Sequence, residues 1–201
     1  MIKVVDARFV TTAVDERGAP KDGIPEVAFV GRSNVGKSSM INTLTQRRKL
    51  VRVSNTPGRT RTLNFFDAVV ERRGKRHTVR FADLPGYGFA KVSKAERESW
   101  SEMIEGYLSR RAPLKVVVAI IDAEVGPTAD DHEMLAWLQE RTPKILVAAT
   151  KIDRLNKARR KPRLVELSKQ LELPLETILP FSATERIGVD ELWGTLLDVL
   201  R

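Results

Sequence analysis

Apolar positions along this chain follow two alternating regimes. Short continuous apolar runs, Val27-Ala28-Phe29-Val30 and Val116-Val117-Val118-Ala119-Ile120-Ile121, have the length and β-branched content of strands buried on both faces. Longer stretches at 94–110, 130–139, 156–171 and 189–200 read as helices. In chain order, a strand at 26–30 leads through a glycine-rich turn into a helix ending near Gln46. Residues 62–70 and 77–82 form a hairpin about Arg72-Arg73-Gly74-Lys75. Strands follow at 115–122, 143–149 and 177–181. This alternation predicts an α/β domain with a mostly parallel, doubly wound sheet, helices on both faces and one antiparallel edge strand from the early hairpin. Residues 1–24 read less clearly. Phe9–Val14 is β-prone and 15–23 is loop-like, so the segment is an extra strand or an arm beside a single domain at 25–201.

The turn after the first strand is Gly31-Arg32-Ser33-Asn34-Val35-Gly36-Lys37-Ser38, with the spacing G-x-x-x-x-G-K-S. Between a strand and a helix, this is the context of a phosphate-binding loop. Glycines let backbone N–H groups turn inward around a phosphate chain, and the helix start adds its positive dipole end. Lys37 brings a full positive charge, and the Ser38 hydroxyl is a Mg²⁺ ligand.

Ligands of open α/β sheets bind beyond the carboxyl ends of the strands, which directs attention to three further segments. Asp83-Leu84-Pro85-Gly86 follows the second hairpin strand. Asp83 would approach Mg²⁺ through water, and Gly86, without a Cβ, would bring its N–H to a terminal phosphate. Thr150-Lys151-Ile152-Asp153 follows the 143–149 strand. A carboxylate at Asp153 accepts from the N1–H and N2–H₂ groups of guanine, a donor pair that adenine lacks, while Lys151 lays its stem over the base. Ser182-Ala183-Thr184 follows the last strand, where a tight turn offers an N–H to guanine O6. Each of the three motifs is weak alone; their order and spacing carry the weight.

Together the segments GRSNVGKSS at 31–39, NTPGRT at 55–60, DLPGYG at 83–88, TKID at 150–153 and FSAT at 181–184 resemble the EngB/YihA/YsxC group of bacterial ribosome-biogenesis GTPases, a branch of the Ras-like TRAFAC class. The resemblance spans about residues 9–200. It implies a Ras-like P-loop GTPase fold, with GTP or GDP as ligand and hydrolysis of GTP to GDP and phosphate. It implies nucleotide contacts from Gly31, Arg32, Ser33, Asn34, Val35, Gly36, Lys37 and Ser38. Further contacts come from Gly58, Arg59, Thr60, Arg61 and Thr62 in a first switch, and from Asp83, Leu84, Pro85 and Gly86 in a second. Thr150, Lys151, Ile152 and Asp153 with Phe181, Ser182 and Ala183 would hold the base. Ser38, Thr60 and Asp83 would serve Mg²⁺, and Lys37, Thr60 and Asn34 the reaction. Such switches order around the γ-phosphate and relax after hydrolysis.

Two departures from the Ras pattern bear on mechanism. Thr150 opens the base motif where many GTPases have Asn, while Asp153 is intact. Tyr87 follows Gly86, where Ras-like enzymes place a water-orienting Gln, so slow intrinsic hydrolysis is expected. Asn34 either recruits K⁺ in place of an arginine finger, as in related GTPases, or only stabilises its loop.

Charge extends the picture to a partner. Lys and Arg number 35 against 26 Asp and Glu, a net charge of +9. Basic residues cluster at 47–52, 72–76, 110–111 and 154–163. The resemblance implies the large ribosomal subunit or its precursor as partner, met through the rRNA backbone, with a linked need in cell division and septation. The chain has no cysteine and no apolar run near the ~20 residues of a membrane span. A cytoplasmic monomer is expected. Two other classes remain open: a P-loop small-molecule or nucleotide kinase, which would not need T-K-x-D with S-A, and a basic RNA-binding scaffold without turnover. His77 and His132 are isolated, and Trp100, Trp137 and Trp193 fall in helices as packing residues.

Overall fold

A computed structural model of the chain describes residues 2–51, 62–88, 94–142 and 144–200, with backbone alone at 94–97. The elements follow in the order β1 (Ile2–Ala13), β2 (Glu26–Gly31), α1 (Lys37–Leu44), β3 (Leu63–Arg72), β4 (Lys75–Asp83), α2 (Lys94–Arg110), β5 (Leu114–Asp122), α3 (Ala129–Gln139), β6 (Ile145–Thr150), α4 (Lys157–Leu171), β7 (Ile178–Pro180) and α5 (Val189–Val199). The strands form one sheet in the order β1-β3-β4-β2-β5-β6-β7. From β4 through β7 every pairing is parallel, and β3 runs antiparallel to both its neighbours.

This is the expected α/β architecture, with β3 as the antiparallel strand. The sheet does not end there. Residues 2–13 form β1, which pairs along all of β3 from Ile2 opposite Arg72 to Ala13 opposite Leu63, and takes the edge itself. Two register shifts, between Val4 and Asp6 and between Phe9 and Thr11, interrupt the ladder. Bulges break the period-2 pattern, so alternation alone did not identify this strand. They also blunt an edge that would otherwise invite pairing with another chain.

Strict alternation in the central strands divides the core in two. Ala28, Val30, Val117, Ala119 and Ile121 face α2, α3 and α4, where Ile104, Leu135, Leu138 and Leu167 are buried. Val27, Phe29, Val116, Val118 and Ile120 face α1 and α5, against Met40, Ile41, Leu44, Leu192 and Leu196. Trp193 is the largest side chain sealed in this second layer. Its ring stacks on Phe81 with centroids 5.2 Å apart, and its indole N–H donates to Leu44 O at 3.0 Å, tying α5 to the end of α1. Truncating such a residue to alanine typically costs about 3–5 kcal/mol.

At the amino end of β2 the sheet buries charge. Glu26, fully buried, accepts from the Tyr107 hydroxyl and from Arg111 Nε, each at 2.9 Å, and Arg111 also donates to Pro20 O. Beside it Arg80, 1% exposed, donates to Asp67 at 2.7 and 3.0 Å and to Asp22 at 2.6 and 2.9 Å. Burial works against the Arg80 charge, but the two carboxylates outweigh it and hold the guanidinium firmly protonated.

Candidate functional site

The opposite, carboxyl ends of β2, β4, β5, β6 and β7 bring the motifs together. The loop 31–36 leaves β2 in two left-handed steps, Asn34 at φ 63° and Gly36 at φ 103°. Asn is among the residues that tolerate this region; at Gly36 it suits glycine. A Cβ on Gly31 would come within 2.8 Å of Val35 Cγ1 and 3.1 Å of Ile120 Cβ, so the first glycine of the motif is required by close packing. Ser33 and Asn34 are exposed at the crest, and Val35 is buried beneath them.

Lys37 begins α1, and its ammonium forms an ion pair with Oδ1 of Asp83, the last residue of β4. A cation of the candidate phosphate site and a carboxylate of the candidate metal site therefore meet between the start of α1 and the end of β4. Ser38 follows Lys37 in the first turn of α1, on the same side of the sheet. Beyond Asp83 the chain runs alongside the phosphate loop: Tyr87 N–H donates to Gly31 O at 3.4 Å and Ser33 N–H to Tyr87 O at 3.3 Å. The Tyr87 hydroxyl is buried and donates to Asp131 Oδ1 at 2.8 Å. Burial and the Asp131 charge push its pKa far above that of a free phenol, so it remains a donor.

On the other side of the loop lies the candidate base site. The Thr150 hydroxyl, 2.8 Å from Val35 O and 3.1 Å from Ile121 O, shares its one proton between them. Lys151 is left-handed at φ 57°, and its Nζ lies 2.6 Å from Asp122 Oδ2 at the end of β5. Asp122 Oδ1 also accepts from the Glu124 and Val125 N–H groups at 2.9 and 3.2 Å. Burial raises its pKa, but Lys151 and those backbone donors outweigh that effect and hold the carboxyl below the usual carboxylate range. Ile152 is buried and Asp153 is half-buried at the surface of a short helical turn. Arg160 braces this turn from α4: its Nε donates to Leu155 O at 3.1 Å, and its guanidinium meets Glu185 at 3.2 Å.

The Ser182-Ala183 turn is closed by Ser182 N–H to Ile187 O at 3.1 Å and by Glu185 N–H to Ser182 Oγ at 2.9 Å. Phe181 is buried below and joins β6 through its N–H to Ala149 O at 2.9 Å. Gly188, at φ 75°, makes the turn possible, since a Cβ there would overlap Pro180 O at 1.8 Å.

The structure thus assembles Gly31–Ser38, Asp83–Gly86, Thr150–Asp153 and Phe181–Ala183 along one end of the sheet. Thr62 is described just ahead of β3, whereas Gly58, Arg59, Thr60 and Arg61 lie outside the described residues. Sequence reasoning passed over Asp122, Asp131 and Gly188. Asp122 carried a usable signal, a carboxylate closing an apolar strand. Asp131 looked like an ordinary charge in the first turn of a helix, and Gly188 like a loop glycine.

Comparison with known proteins gives the same reading. Residues 26–151 match the family model described as a 50S ribosome-binding GTPase. A probable GTP-binding protein EngB from Myxococcus xanthus is 69% identical over 198 residues, covering 98% of this chain and 96% of its own. A crystal structure of a probable GTP-binding protein engB superposes with a TM-score of 0.66 at 26% identity, over 88% of this chain and 98% of that one. Era, solved in complex with MgGDPNP and nucleotides 1506–1542 of 16S ribosomal RNA, reaches a TM-score of 0.68 at 29% identity, over 88% of this chain and 56% of that one. The chain therefore belongs to the EngB family of GTP-binding proteins and is a GTPase.

Proposed function

We propose that this GTPase is a Mg²⁺-dependent switch in assembly of the large ribosomal subunit, acting as a cytoplasmic monomer, with normal cell division and septation dependent on that assembly. One observation carries the reading. The stretch matching the model of a 50S ribosome-binding GTPase, 26–151, is the stretch that brings the phosphate loop, Asp83 and Lys151 to one end of the sheet. Among the described residues no helix is long and apolar enough to cross a membrane.

The chain's own groups divide the work. Lys37 exchanges its ion pair with Asp83 for the phosphate chain, and the backbone around Gly36 cradles that chain. Release of Lys37 frees the Asp83 carboxylate, which with the Ser38 hydroxyl makes a hard-oxygen pair suited to Mg²⁺. Ser38 and Asp83, with Thr60 from the first switch, are the residues to hold it. When bound, the ion neutralises phosphate charge that builds up during hydrolysis. Asp153 reads the guanine edge and Ser182-Ala183 offers backbone N–H to O6. Tyr87 is engaged by Asp131 and does not orient water, which supports slow intrinsic turnover. Asn34, exposed at the crest of the loop, is the K⁺ candidate. The rate is expected to rise in K⁺ over Na⁺ at equal ionic strength, and equal rates would remove that role.

The ribosome supplies a polyanionic surface, and this chain offers exposed Arg47, Arg48, Lys49, Arg73, Lys75, Arg76, Lys157, Arg159 and Lys161. Phosphate contacts of this kind weaken steeply with salt. Co-sedimentation with purified ribosomal subunits should show binding to the large subunit in a non-hydrolysable GTP analogue, less in GDP, and release at raised salt. Equal sedimentation in both nucleotides would refute the switch.

A further inference from the structure

Tyr87 is held from two directions. Its backbone is stitched to Gly31 and Ser33, as described above, and its neighbour Gly86 lies against the same loop. A Cβ on Gly86 would sit 3.3 Å from Gly31 O and 3.4 Å from Ser33 N. The side chain of Tyr87 reaches the other way. Its ring packs edge-on to Trp100, with centroids 6.4 Å apart, and Trp100 in turn donates to Pro85 O at 3.3 Å. Its hydroxyl ends on Asp131, which is 2% exposed. That carboxylate is fixed in place: Oδ2 accepts from the Thr128 N–H and the Thr128 hydroxyl, both at 2.8 Å, at the start of α3. Arg32, inside the phosphate loop, approaches the same oxygen at 3.9 Å. Gly86 is thus the tip of a strut that begins in the first turn of α3 and ends against the phosphate loop.

We propose that the Tyr87–Asp131 contact positions Gly86 for the terminal phosphate, so that Tyr87 and Asp131 are positioning residues that favour the triphosphate over the diphosphate. The proposal rests on the nucleotide reading above, in which the Gly86 N–H meets that phosphate. A diphosphate carries no group there and does not use the strut. A hydrogen bond to a buried carboxylate is stronger than a neutral one, and a donor already fixed in place need not be ordered on binding. The strut also accounts for tyrosine at this position: its hydroxyl serves α3 instead of the reacting water.

The test compares affinities for GDP and for a non-hydrolysable GTP analogue, each with Mg²⁺, in the full chain and in Tyr87→Phe. The phenylalanine keeps the ring and removes the hydroxyl. Analogue affinity should fall about tenfold while GDP affinity stays unchanged. Thr128→Val provides a second variant outside the binding machinery. It leaves the tyrosine intact and removes one of the two Thr128 donors to Asp131, the hydroxyl, while the backbone N–H stays, and should give a smaller loss with the same selectivity. If Tyr87→Phe does not fold, Thr128→Val decides by that criterion. Equal losses for both nucleotides would mean a merely structural contact, and unchanged affinities would mean an idle one; either overturns the strut. A wild-type chain that prefers adenine nucleotides would overturn the nucleotide reading as well. Normal guanine-nucleotide binding with no selective loss overturns the strut alone.

Discussion

The two ends of the parallel sheet both pair cations with carboxylates, but through different residue types and for opposite purposes. At the amino end, arginines are locked onto carboxylates: Arg80 on Asp67 and Asp22, Arg111 on Glu26. At the carboxyl end the carboxylates that close β4 and β5 are met by lysines, Lys37 on Asp83 and Lys151 on Asp122. A guanidinium fork fits a carboxylate in two places and keeps its geometry, whereas an ammonium is a point charge on a flexible stem that exchanges partners readily. The difference teaches how to separate structural from exchangeable pairs. Geometry separates them: Arg80 and Arg111 each meet a carboxylate through two nitrogens, whereas Lys37 and Lys151 each offer one. One set holds the fold; in the reading proposed above, the other gives way to a ligand.

The largest effect on this contrast should come from Glu26→Gln. It leaves the Arg111 charge buried without its counter-ion, which should cost about 3–5 kcal/mol in urea unfolding. Nucleotide affinity of the folded fraction should stay within about twofold, because the site is distant. An equal loss of affinity would merge the two ends into one unit. Lys37→Ala should do the reverse. Guanine nucleotide affinity by calorimetry should drop on the order of 100-fold, with less destabilisation of the nucleotide-free chain than Glu26→Gln causes. Asp153→Asn comes next. It should reduce GTP affinity on the order of 100-fold and favour xanthosine triphosphate, which keeps the N1–H donor but has a C2 carbonyl acceptor where guanine has its amino donor. Continued preference for GTP would mean that Asp153 does not read the base.

The smallest effect is a pH dependence. The Asp122 carboxyl has a lowered pKa in the folded chain. Its contribution is therefore fully present above the unfolded value of about 3.9 and is lost as pH falls through the folded value. The melting temperatures of the wild type and Asp122→Asn should differ by a constant margin from neutral pH down to about pH 5, then converge on further acidification. A margin that persists in acid would show that the Lys151–Asp122 pair is not the cause.

Much of this was legible in the chain itself. The apolar run at 115–122 became β5 within one residue, and 94–110 became α2 as expected. Period and punctuation suffice where one strand or helix buries a continuous face. The placement of the phosphate-loop motif, Asp83 and Asp153 at one end of the sheet was legible because each motif is contiguous and sits at or just past the end of a strand. Residues 1–24 were not, because β1 is an edge strand with two bulges that carries Lys3, Asp6 and Arg8. Nor was the link from Tyr87 to Asp131, 44 residues apart, since nothing local to either residue signals the other. The same holds for Gly188, whose necessity appears only when Pro180 folds back against it.

The Thr150 hydroxyl has a consequence for how the ligand is perceived. By bonding to Val35 O it couples the end of β6, next to the candidate base site, to the buried part of the candidate phosphate loop. The candidate sites for the nucleoside and polyphosphate halves of a nucleotide are then parts of one connected surface. In the nucleotide reading proposed above, guanosine and pyrophosphate added as separate pieces are therefore expected to enhance each other's binding, and independent binding of the two would show that the Thr150 bond carries no coupling.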